Sequence, residues 1–580
     1  MATKRGIQYI PAIDGLRALA VIAVMFYHLG FSWIPGGFLG VDLFFVISGY
    51  VITRLLLDSI EQSGGLDLRG FYLARARRLL PALLFTVITT TIAVGIWAPD
   101  TIKRFITDLP FALTGTMNWW LVAKEQDYFE SIGRPPLLQH TWSLAVEAQF
   151  YLVWPLILYF ILKRLGKNRI PFAALLIAAA SGIALLIVSL SIDASNSSDV
   201  SHIYFGTDTH SIGLFLGAAL AVSWIPQNFT TKVSKKAQDF IDGVGIFGFI
   251  GILATFLLIN ESEPTLYKIA FPLAAIFGAA IIMSVVHPAS RFAPILENPV
   301  LIWIGQRSYA IYLWHWIIFQ VTRPTVDLAG QTWALYSLRI LIVFALADIS
   351  LRYVEMPIRR GAIKYWLKGL KYRTKRERTR QTRFFFVVFV IVLVLSTVVS
   401  VRAISIGNEQ RAAVEKSLST PDRPQKEVIE GGIWLTGDSV ILGIRNSLNE
   451  VSPVSLINAR IGRQAPELLE VMKRDKALAG TSPVIFNLGN NGVLSAEVVK
   501  EIFELVKSQP SVIVVNTAVP RPWRESNNAL VSQIASQYSN VRVIDWNSIS
   551  NGHPEYFAPD GVHLVPAGVA AYVAEIRKYL

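Results

Sequence analysis

Runs of about twenty apolar residues recur down the first two thirds of the chain, each long enough to cross roughly 30 Å of hydrocarbon as a helix. The pattern predicts eleven spans, at 11–29, 37–57, 79–97, 141–163, 171–192, 209–225, 240–259, 267–286, 303–321, 333–352 and 384–403, bounded by polar, Gly or Pro residues. No such run follows residue 403. Residues 404–430 are polar and include Ser-Thr-Pro-Asp-Arg-Pro, a composition that suits an extended linker. From Gly431 the pattern changes. Short apolar runs at Ile433–Leu435, Val484–Leu488, Val512–Asn516 and Val541–Ile544 alternate with helix-like stretches at Gln464–Lys473, Ala496–Val506, Ala529–Gln537 and Ala567–Tyr579. That alternation predicts a parallel sheet flanked by helices. The expected architecture is a polytopic α-helical membrane domain over 1–365, a basic loop and final span over 366–403, the linker, and an α/β three-layer domain over 431–580.

Composition agrees: 53% of the 580 residues are hydrophobic and only 16% charged, far from a soluble average. A formal charge of +13 raises the question of nucleic acid, and the location of the charge answers it. From Glu409 to Leu580 there are 17 Lys/Arg against 18 Asp/Glu, so the basic excess lies in the loops of the membrane part and no nucleic-acid partner is expected. Loops holding Arg69/Arg75/Arg77/Arg78, Lys163/Arg164/Lys167/Arg169 and Lys232/Lys235/Lys236 alternate with loops poor in Lys/Arg. With Lys4 and Arg5, the positive-inside rule places the N-terminus in the cytoplasm. Between Arg359 and Arg383 lie eleven Lys/Arg and one acid, Glu377, so the following span should carry residues 404–580 outside. The same run also suits anionic lipid headgroups. Met1–Leu29 has the charged start and apolar core of a signal peptide but no small-residue cleavage site, and reads as an uncleaved span. The absence of cysteine excludes disulfides and thiolate chemistry and fits an exported domain.

In the α/β part, Ile433-Trp-Leu-Thr-Gly-Asp-Ser-Val ends a strand in Gly and sets Ser439 at the turn into a helix, where backbone N–H groups can hold an oxyanion. Near the end, Asp560-Gly-Val-His563 places a carboxylate three residues before an imidazole that it can orient as a general base. Two further segments supply donors, Asn458-Ala-Arg-Ile-Gly462 and Asn487-Leu-Gly-Asn-Asn491-Gly492, each where the sheet's C-terminal edge should lie. A lone Gly-Asp-Ser is an ordinary turn; four elements in this order resemble the blocks of the SGNH hydrolase family over about 150 residues. The resemblance implies Ser439 as nucleophile, His563 as base and Asp560 as its orienter, with the Ser439 and Gly462 amides and the Asn491 side chain holding the oxyanion. Gly492 stands where many members have Asp.

In the first span Asp14, Arg17 and His28 interrupt an apolar helix, a costly arrangement that suggests a site. Arg17 and His28 fall within roughly 20° of one face and about 16 Å apart along it. Asp42, in the second span, is a candidate to orient His28. Arg75 and Arg78, expected on an inner loop, offer two guanidinium forks to a phosphate-rich ligand or serve as topogenic charge. His140, Glu147 and Tyr151 share a helical face with Ser143 on its flank, so that the carboxylate should face a cavity or a partner. With Asn118-Trp-Trp, Thr207-Asp-Thr-His210, Ser308-Tyr-Ala-Ile-Tyr-Leu-Trp-His315-Trp and Tyr353-Val-Glu355-Met-Pro-Ile-Arg359, these segments resemble the acyltransferase-3 family over about residues 8–365. That likeness implies an acyl-CoA donor used from the cytoplasm, His28 as the residue passing the acyl group, and Arg75/Arg78 near the donor. His140, His210 and His315 stand between packing and functional roles.

Fusion of the two modules resembles the peptidoglycan O-acetyltransferases. It implies transfer of acetyl from acetyl-CoA to a cell-wall glycan through a Ser439 acyl-enzyme, with no bound cofactor and no metal. O-acetylation of lipopolysaccharide O-antigen or exopolysaccharide is the alternative, and an acetyl-esterase a more distant one.

Overall fold

The computed structural model describes residues 9–63, 65–124, 134–191, 197–259, 266–324, 327–328, 333–419, 432–460, 462–521, 523–558 and 560–580. Lys4, Arg5 and the 420–430 part of the expected linker lie outside these. A helix occupies each of the eleven apolar runs: α1 (Pro11–His28), α2 (Gly40–Ser63), α3 (Leu68–Trp97), α4 (Trp142–Arg164), α5 (Ile170–Ser191), α6 (Ile212–Ser223), α7 (Lys235–Leu258), α8 (Phe271–Val285), α9 (Pro299–Val321), α10 (Trp333–Ile349) and α11 (Lys375–Ser419). Among the described residues nine helices are long and apolar enough to cross a membrane. Of the other two, α6 has 12 residues, and the 23-residue α9 carries Arg307 and His315 among its apolar side chains. The chain is a multi-pass membrane protein.

Two helices extend furthest beyond the apolar pattern. Helix α3 begins at Leu68 because Asp67 caps it, accepting from the Gly70 amide at 2.8 Å, and because the Arg-rich turn that follows is made of good helix formers. Arg75 and Arg78, expected on a loop, therefore stand on the helix. Helix α11 continues for 45 residues to Ser419, so the first part of the polar stretch read as linker is helical.

Small residues let the spans touch backbone to backbone. A Cβ on Gly305 of α9 would lie 1.8 Å from the Asp14 carbonyl of α1, and one on Gly49 of α2 would lie 1.9 Å from the Leu214 carbonyl of α6. The first contact draws α1 and α9 together along their length and sets His28 beside His315.

The second part is a five-stranded, all-parallel sheet in the order β2-β1-β3-β4-β5, built from β1 (Ile433–Gly437), β2 (Val454–Ala459), β3 (Val484–Asn487), β4 (Val512–Val515) and β5 (Val541–Ile544). Helices α12 (Ser439–Val451), α13 (Ala465–Ala479), α14 (Ala496–Val506), α15 (Arg524–Ala535) and α16 (Pro566–Arg577) accompany it. Alternate strand residues feed two cores, Trp434, Phe486 and Val514 on one face and Leu435, Ile485 and Ile513 on the other. Strand β2 was not expected; as a half-exposed edge it lacks the continuous apolar run of a central strand. Strand order reverses between β1 and β3, so their carboxyl ends open the crevice in which such sheets bind ligands.

Candidate active site

Strand β1 ends at Gly437, where a side chain would meet Asn487 Oδ1 at 2.2 Å, and the chain turns directly into α12. Asp438 is the N-cap. Its carboxylate accepts from the Val440 amide at 2.8 Å and from the side-chain nitrogens of Asn487, Asn490 and Asn491 at 2.7, 2.9 and 2.9 Å, tying the end of β1 to the loop after β3. Burial raises the Asp438 carboxyl above its ordinary range against these bonds. Ser439 follows on the first turn of α12, 1% exposed.

Asp560 and His563 lie in the loop before α16. Asp560 Oδ1 accepts from the Val562 and His563 amides at 2.8 and 3.0 Å, and Oδ2 faces His563 Nδ1 at 2.7 Å. Burial opposes ionisation of Asp560, but the His563 bond and these amides hold it below its usual range. Burial likewise opposes a charged His563, yet the hydrogen bond and charge of Asp560, with the charge of Asp438, raise it above the usual 6.5. An ionised Asp560 fixes the proton on Nδ1 and leaves the Nε2 lone pair for a hydroxyl, the tautomer a general base needs. Ser439 Oγ and His563 Nε2 are both buried without a hydrogen-bond partner. The serine–imidazole bond is thus unformed in this structure.

The oxyanion candidates are placed less directly. Gly462 lies in the turn between β2 and α13 with φ 74°. The Asn491 side chain donates to Asp438 and to the Arg463 carbonyl at 3.2 Å, so it braces the loop rather than standing open. Among the described residues no cluster of three or more His, Cys, Asp or Glu is gathered as a metal would require.

In the helical part, Arg17 of α1, Arg75 and Arg78 of α3 and Glu147 of α4 line one cavity. Arg17 is held by Asp14 at 2.8 Å, which also accepts from Tyr9 at 2.7 Å. Glu147 accepts from Ser48 at 2.7 Å and Tyr151 at 2.8 Å. Neither Arg75 nor Arg78 has a carboxylate within ion-pair distance among the described residues, and Arg75 Nε is buried without a partner. The cavity thus gathers three guanidinium groups and one carboxylate on its walls.

His28 lines a second chamber with Trp316, Arg323 and Arg339. Its expected pairing with Asp42 is not what the structure shows. Asp42 faces His210 Nε2 at 3.0 Å, while His28 Nδ1 lies 3.0 Å from Nε2 of His315. The close packing of α1 on α9 turns His28 toward α9, whereas Asp42 on α2 is directed to the turn before α6. His315 is the residue that sequence reasoning left between roles; its signal was a polar group within a 23-residue apolar helix. The His140 ring, buried, lies with its centroid 6.0 Å from that of His315.

The two parts meet at this chamber. Pro520, Arg521, Trp523, Arg524 and Glu525, from the segment after β4, form its other wall. Trp523 donates to the Gly489 carbonyl at 3.1 Å, and Arg323 Nη1 donates to the Asp560 carbonyl at 2.8 Å. Arg323 is itself held by Asp327, whose carboxylate also pairs with Arg134 at 2.9 Å. The His28 chamber and the Asp560–His563 loop are therefore joined through one guanidinium.

Residues 10–352 match the acyltransferase domain family. The chain is 33% identical to the peptidoglycan O-acetyltransferase OatA of Listeria monocytogenes, covering 100% of this chain and 99% of that one. It is 34% identical to the O-acetyltransferase OatA of Staphylococcus aureus, covering 98% and 96%. With the acyltransferase model matching more than half of the chain and relatives aligned over nearly its whole length, the chain belongs to this family of membrane acyltransferases.

Proposed function

We propose that the protein moves an acetyl group from cytoplasmic acetyl-CoA across the membrane to hydroxyls of peptidoglycan, with Ser439 as the acyl carrier. The observation that carries this reading is the shared chamber: His28 lines it, and Arg323 beside it holds the Asp560–His563 loop. The relatives' activity supports acetyl and peptidoglycan, and the basic 359–383 segment, which runs into the start of α11, supports an α/β domain outside the cell.

In this reading the phosphates of the donor engage Arg75 and Arg78, and the acetyl group leaves the CoA sulfur and reaches the chamber by way of His28. The α/β domain resembles the SGNH hydrolases, and the triad chemistry follows. Ser439 Oγ attacks the acyl carbonyl as His563 Nε2 takes its proton; the bond from the acyl carbon to the group that delivered it breaks, that group leaves with the proton from His563, and a serine ester remains. A sugar hydroxyl then attacks that ester, its proton passes to His563, and the proton returns to Ser439 Oγ as the bond to serine breaks. Amides at the start of α12 face the developing oxyanion. The reading is tested by deleting the gene, complementing with wild type, His28→Ala or Ser439→Ala, and measuring ester-linked acetate on peptidoglycan and on other surface glycans. Wild type should restore peptidoglycan acetate and neither variant should. Acetate restored only on another glycan would move the acceptor, and a rise on deletion would make the protein an esterase.

A further inference from the structure

The imidazole pair carries its own proton bookkeeping. His315 Nδ1 lies 2.7 Å from the Tyr312 carbonyl and 3.2 Å from that of Ile311. Carbonyl oxygens only accept, so Nδ1 bears the proton, and in a neutral ring Nε2 is then an acceptor. His28 Nδ1, 3.0 Å from that Nε2, must be the donor. The chain of assignments leaves the lone pair of His28 on Nε2. The rings also stack, with centroids 5.1 Å apart at 28°, and Trp316 meets His28 edge-on at 4.8 Å. His315 is fully buried, and its two backbone acceptors belong to its own helix, so its ring is fixed by α9 itself.

We propose that His315 is a positioning residue: it sets the tautomer and orientation of His28 so that Nε2 is the nitrogen offered to the acyl group. His315 stands to His28 as Asp560 stands to His563, with a neutral acceptor where the α/β domain uses a carboxylate. A neutral partner suits the site, because a carboxylate at this depth among Trp316, Phe319 and Tyr312 would need its own cation. The proposal rests on the relay reading above.

The test uses the full chain in membrane vesicles, with acetyl-CoA as donor and peptidoglycan fragments as acceptor, comparing wild type, His28→Ala, His315→Gln, His315→Asn and His315→Leu. Gln places an amide oxygen near the position of Nε2, whereas Asn stops short and Leu offers no acceptor. We expect His315→Leu to lower kcat ~100-fold with the acetyl-CoA KM within about twofold, and His315→Gln to recover about tenfold of that loss. Gln and Leu alike, or Leu retaining wild-type turnover, would overturn the proposal, because a packing role favours the apolar side chain. If His315→Leu does not reach the membrane, Gln should exceed Asn by about tenfold, and equality overturns the assignment. An active His28→Ala would instead sink the relay reading.

Discussion

Arg323 Nη1 donates to the carbonyl oxygen of Asp560 at 2.8 Å, joining the loop that carries His563 to the rim of the chamber lined by His28. The arginine is buried, its side chain 5% exposed and its guanidinium held by Asp327. Arg323→Ala should therefore leave Ser439 chemistry intact while moving the two stations apart. Hydrolysis of a small soluble ester by the full chain should stay within about twofold of wild type, while glycan acetate in cells falls about 100-fold, the order expected when reacting groups are displaced by 1 Å. Parallel loss of both activities would mean that Arg323 merely supports the fold.

The Asp560 bond raises His563 above the ordinary imidazole value, and the base must be neutral to act. Ester turnover by the full chain should consequently fall on the acid side with a midpoint above pH 6.5. In Asp560→Asn the raising bond and charge are gone, so the midpoint should move to lower pH while the plateau rate drops by up to about 10⁴-fold through loss of the correct tautomer. A pH–rate profile reads both, and an upward shift would contradict the assignment.

Asp438 gathers one backbone and three asparagine donors at a buried site. Asp438→Ala removes a helix cap and leaves those donors unsatisfied, at a cost of about 2–4 kcal/mol. The Tm of the α/β domain should fall by roughly 5–15 °C. Heat-dependent proteolysis of the full chain reports this, and an unchanged midpoint would show that water replaces the carboxylate.

Gly305 allows α9 to approach α1 so closely that an added Cβ would lie 1.8 Å from the Asp14 carbonyl, whereas a Cβ at Gly243 meets nothing within 4 Å. Gly305→Ala must spread the two helices and with them the His28–His315 contact. It should lower transfer activity per molecule at least about tenfold relative to Gly243→Ala, by the same sensitivity to displacement. Equal activity, with both proteins quantified in membranes, would remove the close approach from the account.

Local pattern made much of this legible. Each apolar run became a helix because hydrocarbon leaves the backbone no other partner, and four of the five strands were visible as buried apolar runs. Ser439, Asp560 and His563 could be read because a strand end and a three-residue spacing fix them locally. Contacts between distant segments could not. His28 meets a residue 287 positions away. Asp42 is taken by His210, and Asn491 turns to Asp438, because helix packing and loop closure decide among several partners that the sequence leaves equivalent. Arg323 gave no signal at all, since its meaning depends on where the α/β domain docks.

The relay is tested most directly by looking for acetyl on Ser439 itself. Membranes containing the full chain are given labelled acetyl-CoA without glycan acceptor, the protein is digested, and the peptide containing Ser439 is examined by mass spectrometry. Wild type should carry labelled acetyl on Ser439, and His28→Ala should carry none. Label on Ser439 in His28→Ala, or glycan acetylation proceeding in Ser439→Ala, would contradict the account.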